Sequence, residues 1–221
     1  MSRVPLLRPE FGPTLPELIS GRFSVSRRAV AIGAVIALIV AAFVIKLIVD
    51  DGREKLVVRG TPSFNVLYDP SFLHKATPAN GDLMRLVGKT KRIETELTAR
   101  HANLPPFNGD VIGGQLPLYT TQHTDQLAKT LPDLQVGTEG KARLNQSPGY
   151  QVAYTTGAPG NRTYWREVWV MPAADKPKET IVLTMRQTFN GRARAQGRAL
   201  LKATKKAFRS FRFGTRRPLF D

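Results

Sequence analysis

Apolar residues follow one another from position 29 to position 49 with a single charged interruption, AVAIGAVIALIVAAFVIKLIV. At a helical rise of about 1.5 Å per residue this stretch reaches about 31 Å, close to the hydrocarbon thickness of a bilayer, so the pattern predicts one transmembrane helix over 29–49. A cleaved signal peptide has a shorter apolar core ending in small residues. This run instead continues through Phe43, Val44 and Ile45, so an uncleaved anchor is expected. Lys46 stands one turn from the exit, within snorkelling reach of the interface. Gly33, Ala37 and Ala41 recur at four-residue spacing. That stripe is either a packing surface for a homodimer or the ordinary composition of such a helix.

After a charged linker, 50–60, the apolar period shortens to two. Strands are expected at 63–68, with Phe64, Val66 and Tyr68 on one face, at 83–87, and at 92–100, where Ile93, Thr95, Leu97 and Ala99 alternate with Glu94, Glu96, Thr98 and Arg100. The second set reads as a wet face, which accounts for Glu94 and Glu96 without catalytic pairing. Residues 104–115, LPPFNGDVIGGQ, form a loop whose glycines lack the Lys-Ser or Lys-Thr of a phosphate-binding loop. The period then lengthens over 118–131, a helix with Tyr119, His123, Leu127 and Leu131 on one side and Pro132 at its end. Further strands at 134–138, 141–145, 149–156, 162–171 and 179–187 are separated by short turns, which join antiparallel neighbours. The last element is a helix over 192–210, with Gly197, Leu200, Leu201, Thr204 and Phe208 on its apolar side.

The strand at 162–171 is apolar on both faces, so the sheet is covered on both sides. Tyr164, Arg166, Val168 and Val170 share one face, and Trp165, Glu167, Trp169 and Met171 share the other. Glu167 is therefore the candidate buried acid of the chain. It is either a carboxyl whose pKa is raised by desolvation or the partner of an arginine on a neighbouring strand, such as Arg186. His123 is either a core histidine or a functional one. Asp125, two residues away on the helix, does not face it.

Charge adds a class of partner. With 33 basic and 17 acidic residues the chain carries +16, which favours anionic surfaces. No acid lies between Thr180 and Phe220, and Arg194, Arg198, Lys202, Lys205, Lys206, Arg209 and Arg212 form the candidate anion-binding set. Their interleaving with Phe208, Phe211 and Phe213 also fits nucleic acid, and a solvated face remains the plain alternative. Arg27 and Arg28 before the span, against Asp50 and Asp51 after it, put the amino terminus in the cytoplasm and the domain outside. That location favours lipid headgroups, envelope polymers or an envelope protein over nucleic acid. In the tail, 1–28, Thr14 and Glu17 fit a capping box followed by Leu15, Leu18 and Ile19, which reads as an interfacial helix or an unstructured end. Cysteine is absent, which excludes disulfides and thiolate chemistry. The three histidines show no metal-ligand spacing, and no cofactor is expected.

The stretches FNVLYDPSF (64–72), EGKARLNQSPGYQVAY (139–154), TYWREVWVMP (163–172) and IVLTMRQTF (181–189) resemble the PsbP-like superfamily over most of residues 61–213. The resemblance implies an α+β domain over 61–214, with an antiparallel sheet of about six to seven strands flanked by helices on both faces and a short tail at 215–221. It also implies a non-enzymatic, binding mode of action. The chain departs from the family's lipoproteins in lacking a lipobox cysteine, and no family binding residue carries over. The expectation is a single-pass plasma-membrane protein whose extracytoplasmic domain is a non-catalytic binding or accessory module. The alternatives are an envelope hydrolase using Glu167 or His123 as acid or base, and a cytoplasm-facing nucleic-acid-binding domain.

Overall fold

Strands of period two assemble into a seven-stranded antiparallel sheet in a computed structural model that describes residues 32–41, 53–79, 81–102, 104–131, 133–158, 160–191 and 194–215. The chain divides into two units, Met1–Asp51 and Gly52–Asp221. In the first, residues 32–41 are helical and exposed, Gly33, Ala37 and Ala41 included. Among the described residues no helix is long and apolar enough to cross a membrane. The rest of the expected span (29–31 and 42–49), the tail 1–28 with its expected helix after Thr14, the charged flanks and residues 216–221 lie outside the described residues.

The second unit runs β1 (Glu54–Val58), β2 (Phe64–Tyr68), β3 (His74–Lys75), β4 (Asp82–Lys89), β5 (Ile93–His101), α1 (Leu116–Thr130), β6 (Gln135–Leu144), β7 (Ser147–Thr156), β8 (Asn161–Val170), β9 (Ile181–Asn190), α2 (Ala195–Arg209) and β10 (Arg212–Phe213). The large sheet has the order β3-β4-β5-β9-β8-β7-β6, and a small sheet has the order β1-β2-β10. The fold is α+β, as expected. The small sheet is additional: Glu54–Val58, read as linker, pairs along β2. Bracketed by β1 and β10, β2 is buried at all five positions rather than on one face.

Alternation on β5 divides the core. Ile93, Thr95, Leu97 and Ala99 are buried beneath α2, where Thr204 Oγ1 donates to Thr95 Oγ1 at 3.0 Å. Helix α2 buries Gly197, Leu200, Ala203, Thr204, Ala207 and Phe208. Lys206 and Arg209 in its last turn complement the helix dipole. Ser210 Oγ accepts from Leu67 N at 2.8 Å and donates to Leu67 O at 3.0 Å, fastening the helix end to β2. The opposite sheet face packs Val152, Tyr154, Trp169 and Val182 against Leu116, Tyr119 and Leu127 of α1.

Two turns differ from expectation. The strands at 134–138 and 141–145 are one strand, β6, with an irregularity between Val136 and Thr138. The true hairpin turn is Asn145–Gln146, with Asn145 at a positive φ of 54°. The loop at 104–115 ends in a π-helical turn, Val111–Gln115, capped by Asp110, whose Oδ1 accepts from Ile112 N at 2.9 Å. This turn feeds directly into α1, with Pro117 in the first turn, where no amide hydrogen bond is lost.

Gly88 of β4 lies where α2 crosses, and a Cβ there would stand 2.5 Å from Phe72 O and 2.6 Å from Leu200 Cδ1. Gly88→Ala is therefore expected to cost about 1–3 kcal/mol. Urea unfolding measures this, and an unchanged midpoint would mean that α2 sits more loosely than the packing indicates.

Candidate functional site

The face of β8 that carries Trp165, Glu167 and Trp169 is the one α1 covers. Register sets the neighbours: Glu167 lies opposite Thr184 of β9 and Val152 of β7, whereas Arg186 lies opposite Trp165 and, across β9, opposite Glu96. The expected Glu167–Arg186 pair is thus replaced by two other arrangements. Arg186 binds Glu96 at 2.8 Å, and its guanidinium lies 5.6 Å from the Trp165 ring centre. Glu96 is also held by Arg85 Nε at 2.5 Å. The face read as wet on β5 is in part an arginine–glutamate–arginine ladder.

Glu167 is 4% exposed, the buried acid the sequence singled out, and both its carboxylate oxygens are taken. Tyr154 OH donates to Oε1 at 2.8 Å, and His123 Nε2 lies 3.0 Å from Oε2. An ionised carboxylate only accepts, so Nε2 of His123 carries the proton in this pair. The histidine ring stands edge-on to Trp169 with centroids 5.6 Å apart, and Tyr119 makes a similar contact at 6.3 Å. The sequence placed His123 and Glu167 each on an apolar face without joining them. Asp125 takes no part, and Tyr154 was not singled out at all. Its signal lay in β7, where Val152 and Tyr154 alternate against β8.

Burial pushes the Glu167 carboxyl up, but the His123 hydrogen bond and charge, the Tyr154 hydroxyl and nearby Arg100 outweigh it, leaving the group below the ordinary carboxylate range. The expected upward shift is therefore reversed, because desolvation is met by two donors. Burial and the same carboxylate drive the Tyr154 hydroxyl far up. A depressed carboxyl stabilises the fold above its unfolded value, ordinarily 4.5, and that stabilisation is lost as pH falls through the lower folded value. The urea midpoint is expected to fall on acidification from about 4.5 down to that lower value, and less steeply in Glu167→Gln. Equal acid limbs in the two proteins would contradict this assignment.

Beside the trio opens a cleft of about 190 Å³, walled by Glu96, Thr98, Arg100, Trp165, Glu167 and Arg186. Its charges are largely matched internally, and Trp165 is stacked on Tyr154 at an interplanar angle of 14°. Among the described residues there is no cluster of three side chains able to hold a metal, and His123 hydrogen-bonds no hydroxyl nucleophile. With both oxygens engaged, Glu167 braces α1 against the sheet.

The second feature is the outer side of α2. Arg194, Arg198, Lys202, Lys205, Lys206 and Arg209 are all exposed. At about 100° per residue they fall within a sector of about 120°. None forms an ion pair among the described residues. Arg212, grouped with them in the sequence, leaves the helix, lies in β10 and is half-buried.

No family profile and no curated protein sequence matches the chain. Among solved structures it is similar to the cyanobacterial PsbP (CyanoP) of Synechocystis sp. PCC 6803, with 8% identity, a TM-score of 0.48, and coverage of 74% of this chain and 93% of that one. It is also similar to LpqN, described as involved in cell envelope biogenesis of Mycobacterium tuberculosis, with 12% identity, a TM-score of 0.41, and coverage of 76% and 95%. A third is PA94 of Pseudomonas aeruginosa, a protein of unknown function, with 14% identity, a TM-score of 0.38, and coverage of 75% and 99%.

Proposed function

We propose that this chain is a single-pass, membrane-anchored binding module, non-catalytic, whose domain stands outside the cytoplasm and docks on anionic envelope material through α2. The observation that carries the reading is the one-sided set of six exposed cations on α2. A fold does not require such a concentration, and anionic surfaces attract it over distances comparable to the Debye length. The apolar run 29–49 supplies the anchor. With Glu167 and His123 engaged in bracing, holding is the chemistry this domain offers.

Two measurements test the reading. Full-length protein in phosphatidylcholine nanodiscs is expected to capture phosphatidylglycerol vesicles in a salt-sensitive manner. Charge reversal at Arg194, Arg198, Lys206 and Arg209 should abolish capture. Equal capture of neutral vesicles, or capture by the reversed variant, would refute the docking surface. The chain has no cysteine, so Lys91→Cys provides a unique label on the exposed turn before β5. A membrane-impermeant maleimide should react with it in intact cells. Reaction only after permeabilisation would place the domain in the cytoplasm and favour the nucleic-acid reading.

A further inference from the structure

On the sheet face that α2 only half covers, a groove of about 300 Å³ runs between the helix and β8. The register that builds it is Tyr164 opposite Gln187 and Arg166 opposite Met185. From the helix side Leu201 supplies an apolar wall, and Lys202 and Lys205 stand one turn apart at the rim. No acid is among the lining residues.

Two of these side chains are arranged for a ligand. Gln187 is 9% exposed, yet its amide makes no hydrogen bond among the described residues. The amide borders the groove, so its N–H groups are free to donate to an oxygen bound there. Arg166 is fixed in place: Nη2 donates to Gln151 Oε1 at 2.5 Å, and the guanidinium lies 5.4 Å from the Phe208 ring centre. Its remaining N–H groups form a pre-oriented fork of the kind that binds phosphate or carboxylate. Beneath them Met185, 95% removed from solvent, and the partly buried Tyr164 and Leu201 form an apolar floor. Methionine adapts readily to apolar groups of varied shape.

We propose that this groove binds an amphiphilic anion, a phosphate or carboxylate group carried on an apolar chain. Arg166, Lys202 and Lys205 take the charge, Gln187 takes one of its oxygens, and the floor of Tyr164, Met185 and Leu201 takes the first carbons. The proposal goes beyond docking on a surface, because it requires one molecule to enter the fold. It shares Lys202 and Lys205 with the docking face, so the test separates the two.

Full-length protein in phosphatidylcholine nanodiscs would be titrated with hexyl phosphate and, separately, with inorganic phosphate, with empty nanodiscs as the blank. Hexyl phosphate should bind at least about tenfold tighter, because its chain buries apolar area. Lys202→Gln with Lys205→Gln should weaken it about tenfold. Gln187→Leu should also weaken binding while leaving the urea midpoint unchanged, since the amide makes no hydrogen bond among the described residues; a merely structural role would lower that midpoint. Charge reversal at Arg194, Arg198, Lys206 and Arg209 should leave hexyl phosphate binding intact even where vesicle capture is lost. If capture persists in that variant, the docking surface fails and the groove stands. Phosphatidylglycerol vesicles that compete with hexyl phosphate identify the bilayer as the source of the anion, and absence of competition identifies a free amphiphile. Equal binding of the two phosphates, or hexyl phosphate binding unaltered by both groove variants, would overturn the proposal.

Discussion

Glu167→Ala is expected to lower the unfolding free energy by about 3–5 kcal/mol, whereas Glu167→Gln lowers it far less. Truncation leaves the Tyr154 hydroxyl and His123 Nε2 without their acceptor in a place that water reaches poorly, since Tyr154 is 3% exposed and Glu167 4%. Each orphaned polar group costs about 1–3 kcal/mol, and the lost side-chain volume adds a cavity. Glutamine keeps an oxygen for Tyr154. Histidine adapts to the new amide by moving its proton to Nδ1, so that Nε2 accepts. Denaturant unfolding near neutral pH, with near-ultraviolet circular dichroism reporting Trp165 and Trp169, measures both variants. A loss below about 1 kcal/mol in the alanine variant would mean that the trio is not a brace.

Trp169→Ala should be comparably severe, at about 3–5 kcal/mol, but uneven in its effects. Trp169 is 1% exposed and carries the edge contacts of both Tyr119 and His123, the two aromatic side chains by which α1 meets the sheet. Helix α2 packs on the opposite face, with Phe208 and Leu200 in the other core cluster. Amide exchange is therefore expected to accelerate across Leu116–Thr130 well before Ala195–Arg209. Uniform acceleration of the two helices would argue that both faces open as one cooperative unit.

Period-two alternation made much of this arrangement legible. On β8 and β5 it assigned each side chain to the correct face, because a strand offers only two choices and one of them is a core. It also marked Glu167 as a carboxyl among tryptophans. What it left out was set by tertiary neighbours. His123 and Glu167 stand 44 residues apart and meet only because α1 crosses β8. Arg186 was the reasonable partner by strand adjacency, but the register sets it two pairs away from Glu167 and directly opposite Glu96 on β5. The strand Glu54–Val58 was hidden because Glu54 and Lys55 read as a charged linker, and because it pairs on only one side. The cations of α2 were legible as a helical face. The groove beside them was not, since it needs Gln187 and Arg166 from two strands that only the register brings alongside Leu201.

The placement of β2 sets a timetable for synthesis. Its amino-terminal neighbour β1 precedes it directly, but its other edge is closed by Arg212 and Phe213, near the carboxyl end of the chain. In the large sheet β5 likewise waits for β9, with Ile93 pairing to Phe189. The hairpins β6 to β9 are complete as soon as they are made, whereas β2 and β5 keep open edges until the last quarter of the chain emerges. Folding of this domain is therefore expected to finish only once β9, the final helix and β10 have emerged, with local pairing early and closure by that helix and strand last.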